Sequence, residues 1–107
     1  MTTFDDRESG FERKFAEDEA LEFKALSRRN HLLGVWAGEL MELEGKNLDD
    51  YAAAVVRAEV AGPGEEEVLR RVSGDLAAAG LKVSEGQVLA KMQELLAVAR
   101  EQVKAGD

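Results

Sequence analysis

A chain of 107 residues carries 14 Lys and Arg against 22 Asp and Glu, a net charge of −8, with one histidine and no cysteine. That length suits one small domain with its own core, and the missing cysteines exclude a disulfide framework, a thiolate metal site and a cysteine nucleophile. The acidic balance argues against nucleic acid or an anionic membrane as the main partner, because phosphate binding needs a clustered basic surface, and points instead to a protein.

Residues 1–19 hold seven acids and three bases and little that packs, the composition of a segment disordered on its own, and they read as a mobile arm. Its aromatics are nevertheless ordered in sequence. Phe4, Phe11 and Phe15 are seven and four residues apart, so on a helix at about 100° per residue they fall within roughly 40° of one another. From 20 to 43 the spacing predicts a first helix, with Phe23, Leu26, Leu33, Trp36, Ala37, Leu40 and Leu43 on its apolar stripe and Gly45 as its stop. Asn47 is the expected cap of a second helix over 48–61, which carries Leu48, Tyr51, Ala52, Val55, Val56 and Val60 and ends at Gly62, Pro63 and Gly64. A third, 65–79, opens on three glutamates that suit the helix dipole and buries Val68, Leu69, Val72, Leu76 and Ala79 before Gly80. Ser84 with Gln87 forms a capping box for a fourth over 85–105, whose stripe is Val88, Leu89, Met92, Leu95, Leu96, Ala99 and Val103.

No stretch alternates with period two, so the expected fold class is all-α: a four-helix bundle, 20–107, with a disordered or mobile amino-terminal arm, 1–19. At 1.5 Å per residue the first helix spans roughly 36 Å and the second and third about 21 Å each. A helix continued back to Phe4 would therefore overhang the bundle with nothing of this chain to cover it. Asp18 and Glu22 also cut the phenylalanine stripe from the core. The stripe thus reads as an amphipathic helix destined for a partner's groove, against the blander reading of a tail folded back on its own bundle.

Candidate chemistry is sparse. The pairs Asp5–Asp6 and Asp49–Asp50 point about 100° apart on a helix and read as solvated or capping residues rather than paired catalytic carboxylates. His31 stands beside Arg28 and Arg29 with no second histidine or carboxylate at metal-ligand spacing. Gly34 and Gly38, four apart inside the first helix, suggest close helix approach more than ligand contact. No run is long and apolar enough for a membrane span, and the first twenty residues are too acidic for a signal peptide, so a cytoplasmic address is expected. No metal, cofactor or enzyme activity is expected.

Two stretches, TTFDDRESGFERKFAED at 2–18 and SRRNHLLGVWAGELMEL at 27–43, carry a resemblance. With YAAAVVRAEV, DLAAAGLKVSEGQV and KMQELLAVA following in order, the chain resembles the zeta subunit, the ATPase inhibitor of F-type ATP synthases in alpha-proteobacteria. The resemblance implies a four-helix bundle whose arm enters an alpha/beta catalytic interface near the central stalk and blocks hydrolysis far more than synthesis. Carried over by motif position, the partner-binding residues are Phe4, Asp5, Asp6, Arg7, Glu8, Phe11, Glu12, Arg13, Lys14 and Phe15. It further implies a protein at the cytoplasmic face of the inner membrane when bound, and a monomer is expected when free. The alternative function is binding of an adenine nucleotide, ADP or ATP, with Arg28, Arg29 and His31 as its candidate residues.

Overall fold

The computed structural model describes the backbone of residues 3–61 and 64–106 and the side chains of 19–59 and 64–106. Four helices follow in order: α1 (Thr3–Leu40), α2 (Gly45–Ala61), α3 (Glu65–Ala78) and α4 (Glu85–Lys104), and no strand occurs among the described residues. The fold class is all-α, as the periodicity predicts. Leu33 and Ala37 from α1, Val55 from α2, Val68, Val72 and Leu76 from α3, and Val88 and Met92 from α4 form one core from which solvent is excluded.

The first helix departs from expectation at both ends. Its 38 residues run from Thr3 without a break, so no change of backbone marks the arm off at residue 19. No proline interrupts the run, and Asp5, Asp6 and Glu8 lie in its first turns, where the dipole favours acids. At the other end α1 stops at Leu40 rather than 43. Glu42 takes a left-handed φ of 63°, the Leu43 amide donates back to the Gly38 carbonyl at 2.9 Å, and the Glu42 amide to that of Glu39 at 3.0 Å. This pair of bonds is the turn that normally uses glycine. α3 ends the same way on Gly80, φ 82°, with Leu81 donating to Leu76. Gly45 therefore opens α2 instead of closing α1, and Asn47 sits inside the first turn of α2 instead of capping it. The Ser84–Gln87 capping box forms as expected, with both reciprocal bonds present, at 2.8 and 3.1 Å. Gly62, Pro63 and the Val60 side chain lie outside the described residues.

The buried face of α1 also differs from the apolar stripe. Phe23 is 71% exposed and Leu40 40%, whereas Ala25, Arg29, Asn30, Leu33 and Ala37 are buried. Ala79 and Leu89 likewise face solvent. Trp36 is half-buried against the core and is capped by the Lys91 ammonium, 5.6 Å from the ring centroid, so it belongs to the core's edge rather than its interior. Tyr51 ties α2 to α3 through a 2.8 Å bond from its hydroxyl to Asp75. Burial, then the Asp75 carboxylate, raises the pKa of that hydroxyl well above the ordinary phenol range.

Close approach accounts for the two helix-interior glycines. A Cβ on Gly34 would stand 2.7 Å from the Ala52 Cα, and one on Gly38 would stand 2.5 Å from the Leu48 Cδ1. Leu48 can swing aside, but the α2 backbone cannot. Gly34→Ala should therefore destabilise the bundle by about 2 kcal/mol in denaturant unfolding, even though alanine gains about 1 kcal/mol of helix propensity. Gly38→Ala should come out near neutral.

Gly34 faces Ala52 and Gly38 faces Leu48, while Arg29 and Asn30 meet Glu59, so α2 runs antiparallel to α1 and finishes near residue 27 of α1. On the other side α4 finishes near Glu22, which Arg100 holds. The amino-terminal turns of α1 outrun both neighbours. The radius of gyration is accordingly 17.4 Å and the long dimension 65 Å, against about 13 Å of gyration radius for a compact chain of this length.

Candidate docking arm and the surface at its root

The ten arm residues from Phe4 to Phe15 lie on the α1 backbone, and their side chains lie outside the described residues. At roughly 1.5 Å per residue, 3–18 make a rod of about 24 Å. Side-chain description begins at its root. There Leu21 is 40% and Phe23 71% exposed, and Glu22 accepts two bonds from Arg100 of α4, at 2.7 Å from an Nη and 3.2 Å from Nε. The Arg100 hydrogen bond, followed by its charge, holds the Glu22 carboxyl below its ordinary pKa, with partial burial opposing. A folded-state pKa lowered in this way gives a contribution present at neutral pH and lost as pH falls through the lowered value.

Arg28, Arg29 and His31 do not converge. Arg29 turns inward, 1% exposed; its Nε donates to the Asn30 Oδ1 at 2.8 Å, and its guanidinium reaches Glu59 at 3.4 Å and Glu65 at 3.6 Å. Asn30 in turn donates to Glu59 at 2.8 Å. This buried network joins α1 to the last turn of α2 and the first residue of α3, and it leaves Arg29 no surface to offer a ligand. Arg28 is half-buried and donates to Gln102 at 3.3 Å, while His31 is exposed. These two share a groove of about 590 Å³ with Phe23, Lys24 and Ser27. Among the described residues no group of three or more His, Cys, Asp or Glu could hold a metal ion, and no helix is long and apolar enough to cross a membrane.

The sequence reading missed Glu59 and Arg100, although it contained their signal. Arg29 is four residues from Leu33 and so lies on the core face, and a charge there requires a buried partner. Glu22, noted only as a break in the stripe, is an acid that an antiparallel α4 can answer with a cation near its end.

Fold and site define a small all-helical protein whose first helix projects beyond its bundle. The family described as ATPase inhibitor subunit zeta matches residues 1–102. The chain belongs to that family, the one its motifs resemble, and an inhibitor subunit acts by engaging the ATPase complex. It is similar to a protein solved by solution NMR, 39% identical with a TM-score of 0.70, covering 81% of this chain and 99% of that one. No curated protein sequence matches it.

Proposed function

We propose that the chain inhibits ATP hydrolysis by the F-type ATP synthase, inserting residues 1–19 of its arm into an alpha/beta catalytic interface beside the central stalk while 20–107 stay outside as a rigid bundle. The observation that carries this is the family match from residue 1 to 102, which takes in the arm as well as the bundle. The projection of α1 supplies a rod of the right kind. An isolated helix of that length and composition is marginal in water, so its order is completed on docking, when the phenylalanine stripe is buried. A wedge needs no catalytic residue: an interface held from opening or closing stops rotation in the hydrolytic direction, and rotation the other way expels the wedge. The protein would then be non-enzymatic, monomeric when free, and peripheral on the cytoplasmic side of the membrane.

Adding the full chain to purified F-type ATPase should suppress hydrolysis toward zero at saturation while energised vesicles continue synthesis. Full hydrolysis with the chain bound would refute the proposal.

A second reading, adenine-nucleotide binding, is favoured by one observation: Lys24, Arg28 and His31 share a groove with exposed Phe23 in a chain of net charge −8. Lys24 and Arg28 would take phosphates, His31 would offer a hydrogen bond, and the ring would stack on the base. Calorimetric titration with ADP should give saturable heat that Arg28→Ala weakens and Arg29→Lys does not. No heat at millimolar ADP removes this reading.

A further inference from the structure

We infer that Glu22 and Arg100 form a clamp that sets where the arm leaves the bundle, making Arg100, on the last helix, a positioning residue for inhibition. The inference rests on the inhibitory reading of the arm. Apolar packing at this turn of α1 is thin, with Leu21 only partly covered and Phe23 mostly exposed. The first buried apolar side chain described along α1 is Ala25. An open cleft of about 240 Å³, lined by Leu21, Ala25, Val103 and Lys104, separates α1 from the end of α4. Glu22 and Arg100 line the same cleft and are joined by a two-pronged bond between residues 78 apart in sequence.

Both partners are 43–49% exposed, and a pair so placed adds little to global stability. Its two-pronged geometry fixes direction as well as distance. The clamp therefore anchors α1 one turn further toward its amino terminus than the core does, and the arm begins its projection from a helix already formed. Without it the fulcrum retreats to Ala25, and several more residues must be ordered each time the arm docks.

Hydrogen exchange and inhibition, both measured on the full chain, test this together. Arg100→Gln and Glu22→Gln should each speed amide exchange across 19–24 by about three- to fivefold, leave 33–37 unchanged, and weaken inhibition of the purified ATPase by roughly two- to fivefold. The charge-reversed pair Glu22→Arg with Arg100→Glu should recover both, which a merely structural loss would not. Parent-like exchange at 19–24 in either single variant, or a reversed pair that stays unprotected, overturns the clamp. If the parent itself fails to inhibit, the reading of the arm falls, and the exchange data still decide whether the clamp exists.

Discussion

Phe11→Ala and Phe15→Ala should each weaken inhibition of ATP hydrolysis by about thirtyfold or more, with the bundle's melting unchanged. Truncating an aromatic anchor at an interface commonly costs about 2 kcal/mol, and at about 1.4 kcal/mol per tenfold this gives that factor. The two positions are one helical turn apart on the unbroken α1 backbone, so the helical period would present both to a groove from one side. They are also nearer than Phe4 to the root, where the helix is held. Glu12, Arg13 and Lys14 lie off the stripe or on its rim, where a charge affects the on-rate and its salt dependence more than final affinity. Single charge removals should therefore do less than either phenylalanine truncation. The reverse ranking would show an electrostatic arm with an incidental stripe.

Arg29→Ala should destabilise the bundle by about 3 kcal/mol in denaturant unfolding. Removing one member of a buried ion network strands its partners, and the usual loss is about 3–5 kcal/mol. The lower end applies because Glu59 is 25% and Glu65 55% exposed and can recover water. Asn30 loses its bond from Arg29 but keeps Glu59. Arg29→Met fills the same space without the charge and should lose less. An Arg29→Ala protein as stable as the parent would mean that the network adds nothing beyond solvated charge.

Apolar period and short-range punctuation were legible wherever one residue type has one strong local use. Ser84 with Gln87 and the stop at Gly80 stand where the sequence places them. The end of α1 was not legible, because Glu42 adopts a left-handed turn that glycine usually takes, and the nearby Gly45 drew the boundary past its true position. The inward face of α1 was misread for a different reason. An apolar stripe locates a core only when the core is wholly apolar, and here Arg29 and Asn30 take inward positions while Phe23 is left outside. Of the candidate site, the arm and its stripe were visible as a pattern. The separation of Arg29 from Arg28 and His31 depends on partners on other helices, which no local pattern encodes.

The most direct test of the arm's role compares residues 20–107 with the full chain in titrations of ATP hydrolysis by the purified F-type ATPase. The eight residues of the central core lie between Leu33 and Met92, so the shortened protein should melt within a degree or two of the parent. It should also leave hydrolysis at the uninhibited rate at concentrations where the full chain stops it. A shortened protein that folds and still inhibits would place the inhibitory surface on the bundle and contradict the account.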